Sequence, residues 1–273
     1  NDNAPVFTSS ASFSADENQT SIASVTASDA DDSSLSFSVS GSELLISDGG
    51  ILSFASPPDY ETKSSYTATI TVSDSVASAT QNITVSINNL NDNAPVFTSS
   101  ASFIAAENQT AIGTVTATDA DGNSMSFSIS GSELSISSSG QLSFITEPDY
   151  ETKTTYTATA TVSDGNLSAS QNITINVSNV NDNAPVISDF AANTEVSNGQ
   201  TSVLTVTVTD ADGDTPTLSL IGNDAGALSI SAEGAIAFNS SPSFASPTDA
   251  DGNNVYEFTV KADDSVNTAT KSG

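Results

Sequence analysis

The string NDNAPV begins at Asn1, begins again at Asn91 and begins a third time at Asn181, so the chain repeats itself every 90 residues. Other phrases keep the same interval: ENQT at Glu17 and Glu107, PDYETK at Pro58 and Pro148, and DAD at Asp29 and Asp119, with a further DAD at Asp210. Most positions of the first two copies are identical, and the third is a divergent relative with small insertions. Such a period is too long for a solenoid unit. It suits an independent domain that buries a core of its own. The expected units are 1–90, 91–180 and 181–273, the last expected to lack the end of its final strand.

Inside each unit the hydrophobic period is two. Tyr66, Ala68, Ile70 and Val72 alternate with Thr67, Thr69, Thr71 and Ser73, and Ile83, Val85 and Ile87 alternate with Thr84, Ser86 and Asn88. Leu204, Val206 and Val208 do the same in the third unit. This is the pattern of strands buried on one face, and the many threonines suit a pleated, half-buried surface. Turn signals fall between the runs, at Asp48-Gly49-Gly50, Ser139-Gly140 and Glu233-Gly234. About seven short strands per unit predict an all-β fold of tandem Greek-key, immunoglobulin-like sandwiches. Phe7 with Phe97, and Phe54 with Phe144 and Phe238, recur in register and are expected in the cores.

Charge narrows the partners. Thirty-three Asp and Glu face four lysines, with no Arg and no His, for a formal net charge of −29. Nucleic acid, whose phosphates need Lys and Arg, is excluded as a partner, and anionic membrane surfaces are repelled. No apolar run approaches the ~20 residues that span a bilayer. A soluble stretch is therefore expected, with any export signal or anchor outside it. Multivalent cations are the natural partners. The acids are not scattered: Asp74, Asp164 and Asp264 end strands, the DAD pairs follow others, and the NDN triplets lie between units. In an extended linker Asn91 and Asn93 face one way and Asp92 the other. Pro95 keeps the residue before it extended. A ligand set made of oxygen alone suits Ca²⁺, and the absence of Cys and His excludes softer metals. An EF-hand fails on spacing, because after Asp119 the glycine comes fourth and no Glu comes twelfth.

NDNAPVF, the ENQT glutamate, the paired DAD, the DYE tripeptide and the strand-end Asp together resemble the calcium motifs of cadherin repeats. The resemblance covers nearly the whole chain. It implies up to three Ca²⁺ in each linker between successive domains. For the first linker it implies Glu17, Asp59 and Glu61 from the upstream unit, Asn91, Asp92, Asn93 and the Leu90 carbonyl from the linker, and Asp119, Asp121 and Asp164 from the downstream unit. For the second it implies Glu107, Asp149, Glu151, Asn181, Asp182, Asn183, Asp210, Asp212 and Asp264. At the amino terminus Asn1, Asn3, Asp29, Asp31 and Asp74 form a half-site for one cation, held less tightly.

The departures from the family pattern lie mainly in the third unit. Ser243 and Ala245 stand where the acids of DYE should be, and Asn198 takes the place of the ENQT glutamate, with Glu195 three residues earlier. Any linker downstream of it should be absent or poor. A longer loop there carries Asp249, Asp251 and Asn253 and is expected to be a solvated turn rather than a local cation site. Units near 90 residues, the lack of Arg and the heavy use of Ser and Thr resemble the cadherin-like arrays of bacterial surface adhesins. The expected function is a calcium-stiffened adhesion or stalk module, extracellular or on the cell surface. Its partners would be calcium, neighbouring repeats, and a cell-surface or matrix protein or a polysaccharide. With no Trp, the tryptophan-anchored strand exchange of some animal cadherins has no anchor here. A carbohydrate-binding module is the alternative, but the few aromatics fall in core register. An enzyme is not expected, although two carboxylates suffice for a glycosidase.

Overall fold

The computed structural model describes residues 3–31, 34–191 and 193–273, and strands dominate throughout. In the first ninety residues the elements are β1 (Val6–Phe7), β2 (Ser12–Asp16), β3 (Ser21–Ser24), β4 (Ala27–Ser28), β5 (Ser36–Val39), β6 (Leu44–Ile46), β7 (Ile51–Phe54), β8 (Ser65–Ser73) and β9 (Ser78–Asn88). One sheet runs β2-β9-β8-β5, a second runs β3-β7-β6, and β1 pairs with β4. The nine segments are seven strands, because β1 and β2 are parts of one strand, as are β3 and β4. The second break has a local cause. Val25 donates its N–H to the Gly50 carbonyl at 2.8 Å, while the Thr26 carbonyl accepts from Thr8 and Ser9. Gly50 holds a backbone φ of +83°, and a Cβ there would lie 2.3 Å from the Val25 oxygen, so the turn admits no side chain.

The alternation read from the sequence becomes the core. Ile70, Val72, Ile83, Val85 and Ile87 are buried between the sheets with Val25, Leu52 and Phe54, while the threonines and serines between them face outward. Each fully buried aliphatic side chain stabilises the fold by roughly 1.5–3 kcal/mol. Phe54 meets Tyr66 edge to face, 5.1 Å between centroids. Phe7 and Tyr60 pack on this cluster from its rim. Residues 91–180 repeat the arrangement, with Val115, Leu142, Ile173 and Ile175 at the centre and Phe97 and Tyr150 at the rim.

The remaining residues build a third core around Val206, Ile236, Phe258 and Val260, with Phe238 partly buried against it. One feature sets it apart. Among the described residues there is no strand between Val186–Ile187 and Ser202–Thr205, where the first unit has β2.

Two strand registers position everything that matters for function. β2 runs parallel to β9 with Asp16 opposite Asn88, so Glu17 arrives beside the first linker residues. Val96 and Phe97 pair antiparallel with Thr118 and Ala117. Traced backward from Val96, the linker therefore passes Asp119 and Asp121 of the next unit. No helix among the described residues is long and apolar enough to cross a membrane.

Candidate metal centre

Glu17 follows β2 and is only 2 % exposed. Its two oxygens join separate segments: Oε2 accepts from the Tyr60 N–H at 2.7 Å, and Oε1 from the Leu90 N–H at 2.8 Å. The DYE turn and the linker thus meet on one buried carboxylate. Asn18, next in sequence, has a positive φ of 63° and donates through its side chain to Asp92. Oxygens of Glu17, Glu61 and Asp92 come within 4.8 Å of one another.

The downstream unit supplies the other wall. Asp121 Oδ2 accepts from the N–H groups of Asp92 at 3.1 Å and Asn93 at 2.8 Å. The Asn93 side-chain nitrogen lies 2.8 Å from Asp92 Oδ1, 2.9 Å from Asp121 Oδ1 and 3.4 Å from Glu61 Oε2. A neutral amide with two hydrogens faces three carboxylates. Asn89 donates to the Asp121 carbonyl at 2.9 Å, and Asn166 to the Asn91 carbonyl at 3.0 Å.

The second linker reproduces this closely. Glu107 is 3 % exposed and accepts from Tyr150 and Val180 at 2.6 and 2.7 Å. Asn108 donates to Asp182, and Asn183 faces Asp182, Asp212 and Glu151. Oxygens of Glu107, Glu151, Asp182 and Asp212 lie within 4.8 Å of one another, as do those of Asp210, Asp212 and Asp214.

Among the described residues no cation is paired with these groups. Each of the four lysines pairs elsewhere: Lys63 with Glu43, Lys153 with Glu133, Lys261 with Asp263 and Lys271 with Asp189. Burial pushes the Glu61 carboxyl above its ordinary value, and the charges of Glu17 and Asp121 push the same way. Glu151 is raised likewise, by burial and then by Glu107 and Asp212. Asp121 and Asp212 are held below the usual range, chiefly by the side-chain amides of Asn93 and Asn183. Burial alone would raise Asp164, but the N–H groups of Asn166 and Leu167 outweigh it and its acidity increases.

The donor set fits a hard cation. Asn91 Oδ1, Asp119 Oδ2 and Asp164 Oδ2 are buried without a hydrogen-bond partner at the first linker, and Asp210 Oδ2 and Asp264 Oδ2 at the second. Buried oxygens of this kind are costly unless something meets them. Of the remaining expected ligands, Asp59 and Asp149 turn both oxygens onto Thr62 and Thr152. At the amino terminus Asn1 lies outside the described residues. Asn3 bonds Asp31 through its N–H at 3.0 Å, as Asn93 bonds Asp121, and Asp29 accepts from the Asp31 N–H. Asp74 is buried, and its Oδ1 accepts from Val76 and Ala77. In the third unit Asn198 takes the glutamate's place in fact: its Oδ1 accepts from the Phe244 N–H at 3.3 Å, the bond Glu17 makes to Tyr60.

Sequence reasoning missed Asn18 and Asn89 with their counterparts Asn108 and Asn179, Asn166, whose place at the second linker is taken by Val266, and Asp214. The recurrence of Asn18 within ENQT and of Asn89 as Asn179 was the available signal.

The family model described as Bacterial Ig domain matches residues 91–176. Human cadherin-23 is 31 % identical over 218 residues, 72 % of this chain and 6 % of that protein. The mouse cadherin EGF LAG seven-pass G-type receptor 1 is 30 % identical over 182 residues, 61 % of this chain and 6 % of that protein. The chain therefore spans about 6 % of the length of these curated relatives. The crystal structure of mouse cadherin-23 EC22-24 superposes with a TM-score of 0.71 at 23 % identity, covering 99 % of this chain and 97 % of that one.

Proposed function

Because the chain is a tandem of cadherin-like repeats, we propose that it is a stretch of an extracellular adhesin or surface stalk whose linkers are stiffened by Ca²⁺. The repeats are taken as 1–90, 91–180 and 181–273. The observation that carries the reading is the meeting of carboxylates from two successive repeats on one NDN segment, with buried oxygens unpartnered and every lysine engaged elsewhere. Without a cation these charges repel across the junction, and a flexible junction relieves the repulsion. With one, the same oxygens become shared ligands and the junction is clamped.

Glu17, Glu61, Asp92 and Asp121 would hold ions on the upstream side of the first linker, and Asn91, Asp119 and Asp164 on the downstream side. Glu107, Glu151, Asp182 and Asp212, with Asn181, Asp210 and Asp264, would do so at the second. Calcium would supply charge neutralisation and a rigid oxygen cage. The chain's own part is to orient the ligands through Glu17, Asn93 and Asn18 and their second-linker equivalents. In this reading the module is non-enzymatic, and its short units, lack of Arg and heavy use of Ser and Thr support an array of the bacterial surface-adhesin kind.

Small-angle scattering on one sample, with Ca²⁺ and then with chelator, tests the idea. A strand rises ~3.4 Å per residue, so three sandwiches in line span on the order of 110 Å. The calcium form should approach that length and the chelated form should be shorter on average. Identical profiles would sink calcium-dependent stiffening.

A further inference from the structure

We propose that the loop at residues 249–253 is a separate site for a hard divalent cation, built within the third repeat rather than between two repeats. Asp249-Ala250-Asp251-Gly252-Asn253 repeats, letter for letter, the Asp119-Ala120-Asp121-Gly122-Asn123 loop that forms the downstream wall of the first linker. The two glycines share a backbone φ, +76° and +77°. In both loops the asparagine N–H donates to the first aspartate, at 2.6 Å to Asp249 Oδ2 and 3.2 Å to Asp119 Oδ1.

The independent sign of a ligand is the other oxygen. Asp249 is 9 % exposed, and its Oδ1 is buried with no hydrogen-bond partner, as is Asp119 Oδ2 in the linker. An ionised carboxylate oxygen in that state needs a cation or a donor. The lysines are all engaged elsewhere. Asp251, two residues on, adds a second carboxylate, held in place by the Asn253 N–H at 3.2 Å and the Asn253 side-chain amide at 2.7 Å. The cradle is anchored from below by Asp224, itself buried, which accepts from the N–H groups of Ala250 at 2.6 Å and Glu257 at 2.9 Å. No linker residue takes part, so the site is tested apart from the linkers, while its likeness to the Asp119 loop rests on the proposed function. Two carboxylates are fewer than a linker offers, which places it in the weak class of extracellular Ca²⁺ sites, ~10⁻⁴–10⁻³ M.

The test uses the full chain and Ca²⁺ as the probe. Hydrogen exchange of the amides from Asp249 to Val255 should slow on adding millimolar Ca²⁺, both in the unaltered chain and in Asp92→Ala/Asp182→Ala, whose linkers are impaired. Native mass spectrometry should show one ion fewer in Asp251→Asn, a substitution at an exposed position, with linker binding unchanged. Calcium-insensitive exchange in this loop, or an equal ion count in Asp251→Asn, overturns the proposal. Should Asp251→Asn unfold the repeat, the exchange experiment on the unaltered chain decides alone.

Discussion

The carboxylate of Glu17 accepts a hydrogen bond from the backbone of Leu90, 2.8 Å away and 73 residues later in the chain. Glu17 is thereby a structural brace for the linker and, in the proposed function, one of its ligands. Glu17→Gln keeps one acceptor and removes the charge. It should weaken Ca²⁺ binding at the first linker by tenfold or more and leave the second, braced by Glu107, unchanged. Glu17→Ala should in addition cost about 1–3 kcal/mol of repeat stability, because the N–H groups of Tyr60 and Leu90 lose their acceptor. Calorimetric titration and thermal melting in chelator separate the two effects.

Asp92→Ala and Asp182→Ala should each empty one linker only, since each aspartate belongs to a different carboxylate cluster. The sandwiches should stay folded, because no residue of NDN enters a core cluster. Loss of the β-sheet circular dichroism at high Ca²⁺ in either variant would place these residues in the fold rather than in the site.

The calcium-free chain should show a split among its carboxyl groups. Glu61 and Glu151 are raised, first by burial and then by neighbouring negative charge. A raised acid binds protons more tightly when folded than when unfolded, so its contribution to stability falls as pH climbs from 4.5 through the folded value. Asp121 and Asp212 are lowered, and the stability they lend is present above 3.8 and lost only as pH falls through their lower folded values. Carboxyl carbon NMR titration should show this order. Added Ca²⁺ should bring Glu61 and Glu151 down, since a cation favours the charged form. Glutamates that titrate at the ordinary value in the calcium-free chain would contradict the crowding at the linkers.

With three Ca²⁺ per internal linker, as the cadherin resemblance implies, the two linkers gain about twelve positive charges, and the formal charge moves from −29 to roughly −17. Most of that change falls at the junctions. Limited proteolysis in chelator should therefore cut first near Asn91 and Asn181, and saturating Ca²⁺ should abolish both cuts. Cleavage that starts inside a sandwich, or ignores Ca²⁺, would be the contrary result.

Gly50→Ala should destabilise the first repeat by several kcal/mol. The added Cβ meets the Val25 carbonyl at 2.3 Å, and the φ of +83° is strained for alanine as well. Gly41→Ala, at a φ of +84° but with nothing within 4 Å, should cost far less. Denaturant melts of the two variants make the comparison.

What was legible in the sequence followed from periodicity. Strands such as β8 and β9 announced themselves by alternation, and the acids stood out because they recur at the same offsets from those strands. Glu17, Asp92 and Asp121 were readable for that reason, and their convergence follows from the β2–β9 and Val96–Thr118 registers. The asparagine amides were not readable. Asn18, Asn89 and Asn166 act through single hydrogen bonds across loops, and polar loop residues carry no period that marks their direction. The break at Val25 and Thr26 was equally silent, because nothing in the residues between Ile22 and Ala27 marks that Val25 bonds Gly50. Tyr60 lies inside DYE. Its N–H does reach Glu17, while its ring packs on the core.

The parallel ladder between β2 and β9 has a mechanical consequence. Five residue pairs, from Ser12 with Thr84 to Asp16 with Asn88, hold the first strand of the repeat against the last. Tension along the chain pulls these two strands in opposite directions along their length. The ladder is then loaded in shear, so its bonds share the force and must fail together, whereas a hairpin pulled from its open end unzips bond by bond. The second repeat carries the same clamp between Ser102–Ala106 and Ser168–Ser178. Under rising load the clamps of these two near-identical repeats should resist lengthening until several bonds fail at once, rather than yield one bond at a time.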